Sequence, residues 1–309
     1  MRYAVAVEPT SVTVKTADSP HCPDGSVRVA VAYVGICHSD ISEVSAGTAE
    51  FPARLGHEVS GIVTDSRSAD IAVGARVTAY VDDGCATEII VPADRIIPLH
   101  ARCTLLDGAL AEPLACVVGG IDMLDLTGAD EVAVVGAGFM GLLAIRLLVA
   151  RGLSVHAVDP RELARGWALT WGATTATPPD EVKPDDYNRL RVVIEASGTA
   201  NGLRLADSLV GVGGTLGILG YHQSESGLRT IDMESWNYRG LTSISMHHRD
   251  PSKVVAWMRR AQRLSAHGVV RPSELVDLLV PLEDCPPYLA GTVSHSGVKA
   301  VVDVGGELT

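Results

Sequence analysis

The stretch Val132-Ala133-Val134-Val135-Gly136-Ala137-Gly138-Phe139-Met140-Gly141 decides the fold of one half of this chain. Its apolar start predicts a buried strand, and the glycines that follow have the spacing of a dinucleotide-binding turn. Gly136 permits a tight turn, Gly138 lets the backbone approach a pyrophosphate, and Gly141 lets a helix pack closely on the strand. The free N–H groups at the start of that helix would face the phosphates. The stretch therefore predicts a cofactor site.

Strands and helices alternate around this turn, and strands joined by crossover helices imply a parallel sheet with helices on both faces. Before Glu112 the pattern differs, because glycine and proline punctuate short β-type runs there. The segment after Arg249 returns to a β-rich pattern. We therefore expect a discontinuous first domain, residues 1–115 and 249–309, and a second domain, residues 116–248. The predicted elements of the second domain are strands Glu131–Val135, Ser154–Asp159, Val192–Ala196 and Thr215–Leu219, and helices Ala115–Leu126, Met140–Arg151 and Arg161–Trp171.

An acidic residue ends the second of these strands. Asp159 lies eighteen residues beyond Gly141, where a carboxylate can accept both hydroxyl groups of an adenosine ribose. This position favours NAD and repels a 2′-phosphate. Arg161 and Arg165 follow closely and keep NADP open as the alternative, because either guanidinium could meet that phosphate.

A second pattern lies upstream, in Gly35-Ile36-Cys37-His38-Ser39-Asp40 and Gly56-His57-Glu58. Thiolate, imidazole and carboxylate groups are ligands that suit zinc. A structural zinc site needs four ligands, usually in paired short spacings that this chain lacks. The separation of Cys37 from His57 suits instead a catalytic site assembled from distant loops, with one position open. Glu58 either ligates the metal or orients the other ligands from behind.

Two candidates for a further ligand lie four residues apart in Ala111-Glu112-Pro113-Leu114-Ala115-Cys116. If Pro113 sits in the first turn of a helix, Glu112 and Cys116 lie on the same face, and both could point at the metal. Only one of them needs to bind. We favour Glu112, and Cys116 remains the alternative.

Composition excludes several classes of function. The net charge of -12 would repel a phosphate backbone. No apolar run approaches the roughly eighteen residues that a membrane-spanning helix needs. The first residues, Met1–Glu8, turn polar too soon for a signal peptide. The six cysteines are scattered, which argues against a disulfide framework. We predict a soluble cytoplasmic protein that binds neither nucleic acid nor membrane.

Together these motifs resemble those of the zinc-dependent medium-chain alcohol/polyol dehydrogenases, over nearly all 309 residues. Glu195-Ala196-Ser197-Gly198 adds to the resemblance. The resemblance implies an α/β fold, in which a GroES-like β-barrel catalytic domain is completed by the C-terminal tail and a Rossmann doubly wound parallel sheet binds NAD. It assigns the third ligand to Glu112, as in the sorbitol and threonine dehydrogenase branch. Members that resemble yeast alcohol dehydrogenase use instead a cysteine that Cys116 matches.

The resemblance also implies roles beside the metal. Ser39 would relay a proton from the substrate oxygen, and His38 would contact the cofactor pyrophosphate. The predicted metal ligands are Cys37, His57, Glu58 and Glu112. The predicted catalytic residues are Ser39, Cys37, His57 and Glu58, and the predicted cofactor residues are His38, Gly136, Gly138, Phe139, Met140, Gly141, Asp159 and Arg161.

One departure from the family affects the metal count. Many relatives carry a four-cysteine lobe that binds a second, structural zinc. Here only Thr78–Cys85, with one cysteine, occupies the corresponding interval. We therefore predict one catalytic zinc per chain. We also predict a homodimer rather than a tetramer, because the lobe often contributes to tetramer packing.

The predicted reaction is hydride transfer between NAD(H) and a polar secondary alcohol or ketone, such as a polyol, sugar, cyclitol or amino alcohol. The chain has only two phenylalanines, which argues against an aromatic-walled pocket. Asp82, Asp83 and Tyr221-His222-Gln223 indicate a polar substrate if they reach the cleft. Two alternatives are open: a zinc-free quinone or enoyl reductase of the same superfamily, and a non-catalytic NAD-binding protein.

Overall fold

The computed structural model describes residues 1–183, 186, 188–224 and 227–305. The chain forms two compact units. The first takes in Met1–Ala115 together with the chain from Asp250 onward, and the second is Cys116–Arg249. No helix among the described residues is both long and apolar enough to cross a bilayer.

The first unit is built on two β-sheets. A seven-stranded sheet has the order β15-β16-β3-β5-β6-β8, with β7 paired to β3, and a three-stranded sheet has the order β2-β1-β4. The strands are β1 (Arg2–Glu8), β2 (Ser11–Thr16), β3 (Ser26–Gly35), β4 (Ala53–Arg54), β5 (Glu58–Ser66), β6 (Arg76–Ala79), β7 (Glu88–Pro92), β8 (Ile96–Pro98), β15 (Val276–Pro281) and β16 (Lys299–Asp303). The helices are α1 (His38–Ala46), α2 (Leu105–Ala109), α8 (Pro251–Ala266) and α9 (Pro286–Leu289).

The pairing of β3 with β5 positions the metal ligands. Alternate residues of β3, such as Val27 and Val29, are fully buried, as expected for a strand that turns one face to the core. β5 runs antiparallel to β3, and Gly35 lies opposite Glu58. The chain leaves β3 at this point and enters β5 at the same point. The loop after β3 and the loop before β5 therefore meet at one end of the sheet.

The second unit is a doubly wound parallel sheet. Its strand order is β11-β10-β9-β12-β13-β14, and every pairing is parallel. Numbered from β9, this is the order 3-2-1-4-5-6 that places a dinucleotide across the strand ends, where the order reverses. Its elements are β9 (Glu131–Val135), β10 (Ser154–Val158), β11 (Thr175–Thr177), β12 (Leu190–Glu195), β13 (Val210–Ile218), β14 (Thr242–Ser245), α4 (Phe139–Val149), α5 (Glu162–Thr170), α6 (Ala200–Leu209) and α7 (Met233–Arg239).

The glycine-rich turn packs too tightly for side chains. Gly136 has φ +103, and a Cβ on it would lie 2.6 Å from the backbone nitrogen of Ser197. A Cβ on Gly141 would lie 1.9 Å from the carbonyl oxygen of Gly136. Helix α4 therefore meets β9 as closely as the sequence predicts, and only glycine fits at these two positions.

The helix α3 (Ala111–Asp122) begins earlier than predicted. The predicted bounds, Ala115–Leu126, are wrong by four residues at each end. Pro113 lies in the first turn, where its missing N–H costs no helical hydrogen bond. Glu112 and Cys116 therefore occupy neighbouring turns of one helix face.

Candidate metal and cofactor sites

Cys37, His57 and Glu58 form a group that could hold a metal ion. Each offers one ligand atom, and these three atoms lie within 4.8 Å of one another. The β3–β5 register explains the arrangement, because Cys37 lies two residues beyond Gly35 and His57 immediately precedes Glu58. Within the described part of the chain, Glu112 does not belong to this group.

Asp40 orients the imidazole of His57. Its Oδ1 lies 3.3 Å from Nδ1 of His57, which leaves Nε2 for a metal, as in carboxylate–histidine–zinc sites. Burial lowers the pKa of His57, but hydrogen bonds to Asp40 and Cys37 outweigh it and raise the pKa to about 12. Asp40 and Cys37, which favour a proton on the imidazole ring, would also favour a metal cation at this place. This role of Asp40 was not predicted from the sequence, although a carboxylate three residues after Cys37 on a helix is a signal for it.

Glu58 is paired with a buried lysine. Lys299 Nζ donates to Glu58 Oε1 at 2.7 Å and to the carbonyl oxygen of Ile36 at 2.9 Å. Nζ also lies 2.7 Å from Oε2, but among the described residues Oε2 has no partner in hydrogen-bond geometry. Glu58 and Lys299 are 1% and 5% exposed. Lys299 was not predicted from the sequence, because it belongs to no recognisable motif.

The donor set fits zinc. One sulfur, one nitrogen and one carboxylate oxygen are ligands that zinc accepts. With His57 neutral, as a metal ligand must be, Cys37 as thiolate, Glu58 and Asp40 would place three negative charges together against the single positive charge of Lys299. A divalent cation balances that excess. Oε2 of Glu58 faces Lys299 without a hydrogen bond of good geometry, and a buried oxygen of this kind could also bind a metal cation.

Ser39 and His38 lie in the first turn of α1 and differ in their surroundings. Ser39 is half-buried, and its hydroxyl donates to the Sγ of Cys37 at 3.1 Å. It is therefore next to a proposed ligand. His38 is exposed. Glu112 and Cys116 are both half-buried on α3.

Gly35→Ala tests the close packing of Gly35 against the side chain of Glu58. A Cβ at residue 35 would lie 1.8 Å from Glu58 Oε2, so Glu58 must move. We expect a loss of about 1–3 kcal/mol in unfolding free energy and weaker zinc binding. Gly166→Ala in α5 is the matched control, because open space surrounds Gly166 and alanine there should add about 0.5–1 kcal/mol. Denaturant unfolding and zinc titration of the two variants measure stability and zinc affinity. A Gly35→Ala variant with the stability and zinc affinity of wild type would contradict the close contact between residue 35 and Glu58.

Asp159 is hydrogen-bonded to the glycine-rich turn after β9. Asp159 is 2% exposed; its Oδ2 accepts from the N–H of Ala137 at 2.8 Å, and Arg161 binds both oxygens at 2.9 to 3.0 Å. Burial raises the pKa of Asp159, but the hydrogen bonds from Arg161 and Ala137 outweigh it and lower the pKa. Arg165 donates instead to the carbonyl oxygens of Asp159 and Pro160. Arg161 is thus the arginine directly coupled to the carboxylate.

The rest of the predicted cofactor turn surrounds the start of α4. Gly138 is the N-cap residue of α4, Phe139 is buried and Met140 is half-buried. The first-turn N–H groups of α4 follow Gly138, so the predicted phosphate-binding geometry is available.

The chain is similar to known dehydrogenases. Residues 23–112 match the alcohol dehydrogenase GroES-like domain. An uncharacterized zinc-type alcohol dehydrogenase-like protein of Haemophilus influenzae is 24% identical over 336 residues, which cover 94% of this chain and 95% of the relative. The "Probable D-xylulose reductase A" of Emericella nidulans is 26% identical over 335 residues, which cover 92% of this chain and 89% of the relative.

Solved structures share the fold over the whole chain. A zinc-binding dehydrogenase of Sinorhizobium meliloti, solved with NADP bound, has a TM-score of 0.87 and 24% identity, covering 98% of this chain and 99% of that chain. Galactitol-1-phosphate dehydrogenase of Escherichia coli has a TM-score of 0.86 and 22% identity, covering 98% of this chain and 100% of that chain. The predicted fold class, a GroES-like domain with a Rossmann sheet, is confirmed.

A GroES-like unit with a cysteine–histidine–carboxylate group and a second, dinucleotide-type unit together define a nicotinamide-dependent dehydrogenase of the zinc type. Residues 23–112 match the GroES-like domain of alcohol dehydrogenases, and nearly the whole chain is similar to zinc-type alcohol dehydrogenase-like proteins.

Proposed function

We propose that this protein is a zinc-dependent oxidoreductase that transfers a hydride between NAD(H) and a polar secondary alcohol or ketone. The observation that carries the proposal is the group of Cys37, His57 and Glu58, whose ligand atoms lie within 4.8 Å of one another. In this proposal the first unit is the catalytic domain and the second binds the cofactor. Intact ligands argue against a zinc-free reductase of the same superfamily.

The mechanism assigns a task to each residue of the first unit. A zinc ion held by Cys37, His57 and a carboxylate would stabilise the substrate oxygen as it loses its proton, while a bound nicotinamide would accept the hydride. Asp40, 3.3 Å from Nδ1 of His57, would hold that nitrogen and leave Nε2 to bind the metal. Ser39 Oγ, 3.1 Å from the Cys37 sulfur, is the atom proposed to take the substrate proton.

The cofactor preference is proposed to depend on Asp159. We expect NAD to be preferred over NADP, because the buried carboxylate would repel a 2′-phosphate. Asp159→Ala should weaken NAD binding roughly tenfold, the worth of one good hydrogen bond to a charged group, and it should improve NADP binding by releasing Arg161. Titration of both cofactors into wild type and variant measures this. A wild type that prefers NADP would show that Arg161, rather than Asp159, governs the choice.

The substrate is proposed to be a polyol or a related polar alcohol. Relatives named for xylulose and galactitol 1-phosphate support this class. Of the polar residues considered from sequence, Asp83 is engaged by Arg54, with Nη1 and Oδ2 3.3 Å apart. Tyr221 is 45% exposed and remains a candidate for substrate contact.

The test of the function is turnover with NAD+ over a panel of polyols, sugar alcohols, cyclitols and simple alcohols. We expect zinc-dependent reduction of NAD+ that a chelator abolishes and added zinc restores. NAD+ binding without turnover of any panel member would favour a non-catalytic NAD-binding protein. Turnover of quinones without zinc would favour the reductase alternative.

Glu112 is proposed as the third protein ligand, with Cys116 as the alternative. Glu112→Ala should lower zinc content and activity more than Cys116→Ala, because a carboxylate ligand exchanges more readily with water and substrate around zinc during turnover. Elemental analysis of the two variants compares them directly. If Cys116→Ala lost its zinc while Glu112→Ala kept it, Cys116 would be the third ligand. That result would also weaken the proposal that the substrate is a polyol.

We further propose one zinc per chain, a homodimer and a cytoplasmic setting. The exposed edge strand β14, which ends the sheet of the second unit, offers unpaired backbone groups to a second copy. Six free cysteines suit a reducing compartment. Light scattering of the purified protein would report the mass of the assembly.

A further inference from the structure

A partly buried chain of hydrogen bonds follows the carboxyl ends of β12 and β13. Glu195, the last residue of β12, is 0% exposed, and its Oε2 lies 2.9 Å from Nε2 of His222. On the other side of the ring, Nε of Arg229 donates to Nδ1 of His222 at 2.9 Å. A guanidinium is a permanent donor, so Nδ1 accepts and Nε2 carries the hydrogen that Glu195 receives. The imidazole is therefore held in one tautomer and one orientation.

The same residues tie together the loops that follow the two strands. Glu195 Oε1 accepts from the N–H groups of Ser197 at 2.7 Å and Gly198 at 2.9 Å. Arg229 Nη2 donates to the carbonyl oxygen of Gly198 at 3.3 Å. The loops approach so closely that a Cβ on Gly220 would lie 2.2 Å from the nitrogen of Gly198. Glu195, His222 and Arg229 thus tie the described residues of these two loops to each other.

The position of these loops in the sheet relates them to one half of a dinucleotide. In a doubly wound sheet the two mononucleotide halves lie on either side of the point where strand order reverses. The glycine turn after β9 and Asp159 after β10 belong to the half that takes the adenosine. β12 and β13 belong to the other half, which takes the nicotinamide riboside.

We propose that His222 is a positioning residue for the nicotinamide half of the cofactor. The imidazole, held between Glu195 and Arg229, keeps the loops after β12 and β13 in the shape that this half binds, so the ordering cost of binding is met in advance. Its removal would leave Oε2 of the buried Glu195 without its donor, and the loops would rearrange. The proposal rests on the proposed use of NAD(H).

The test compares the affinities of NAD+ and ADP-ribose, measured by calorimetry. ADP-ribose lacks only the nicotinamide ring and so reports the adenosine, pyrophosphate and second-ribose contacts without that ring. We expect His222→Ala to weaken NAD+ binding about tenfold, to change ADP-ribose binding less than about twofold, and to raise KM for NAD+ more than it lowers kcat. His222→Gln, which keeps a donor for Glu195, should recover part of the loss.

His156→Ala is the matched control. His156 in β10 also pairs with a glutamate, with its Nε2 3.1 Å from Oε2 of Glu131. Glu131 is the first residue of β9 and lies at the opposite, amino end of the sheet. This variant should leave both affinities unchanged.

Three outcomes would overturn the proposal. They are equal weakening of NAD+ and ADP-ribose in His222→Ala, no weakening of either, and the same selective loss in His156→Ala. If His222→Ala fails to fold, the same comparison on His222→Gln decides, and a ratio of the two affinities equal to that of wild type would count against the proposal. Failure of the proposed function is separate, because wild-type protein would then bind NAD+ weakly or give no turnover.

Discussion

Cys37→Ala is expected to abolish turnover while leaving NAD+ binding intact. Removal of an outer-shell partner of a metal site typically costs about 10–100-fold in affinity or activity, so loss of a direct sulfur ligand should cost more than about 100-fold. Cys37 belongs to the first unit and the dinucleotide turn to the second. Zinc content, turnover and NAD+ affinity of the same preparation test the prediction together.

Cys22→Ala is the control for Cys37→Ala. Cys22 is a buried free cysteine whose thiol donates to the carbonyl oxygen of Ser26, outside the ligand group. The variant should keep one zinc per chain and wild-type turnover. Unfolding of Cys37→Ala would instead indicate a structural metal site. Two zinc atoms per wild-type chain would contradict the single-zinc prediction.

Lys299→Met is expected to destabilise the first unit more than any other single substitution considered for this protein. Lys299 is the buried cation beside Glu58, and its removal leaves a carboxylate charged and unpaired in the protein interior. Breaking a buried pair in this way typically costs about 3–5 kcal/mol. Denaturant unfolding of metal-free protein, with hydrogen exchange in β3 and β5 to identify the unit that melts, measures the loss.

Two further variants make the Lys299 result specific. Glu58→Gln combined with Lys299→Met should recover most of the loss, because no unpaired charge remains. Arg2→Met removes an exposed ion pair with Glu283 in the same unit and should cost less than about 1 kcal/mol. Strictly additive effects of the Glu58 and Lys299 substitutions would show that the two residues do not interact, contrary to the 2.7 Å contact.

Local sequence determined the features that depend on near neighbours along the chain. The run before Gly136 predicted β9 with its observed bounds, Glu131–Val135, because a short apolar strand before a glycine turn depends on periodicity and turn chemistry alone. The same reasoning named Cys37 and His57, since their side chains are zinc ligands wherever they lie. Helix bounds were less predictable, and α3 begins four residues earlier than expected because a proline is compatible with a first helical turn.

Only the tertiary structure decided which distant groups meet. Lys299 lies 241 residues after Glu58, and neither residue carries a local signal that it will be the other's counter-ion. The contact exists because β16 and β5 both pair with β3. Likewise, Glu195, His222 and Arg229 come together because parallel strands end at one edge of the sheet. Sequence determined which chemical groups are available, whereas strand order and register determined which of them lie within hydrogen-bonding distance.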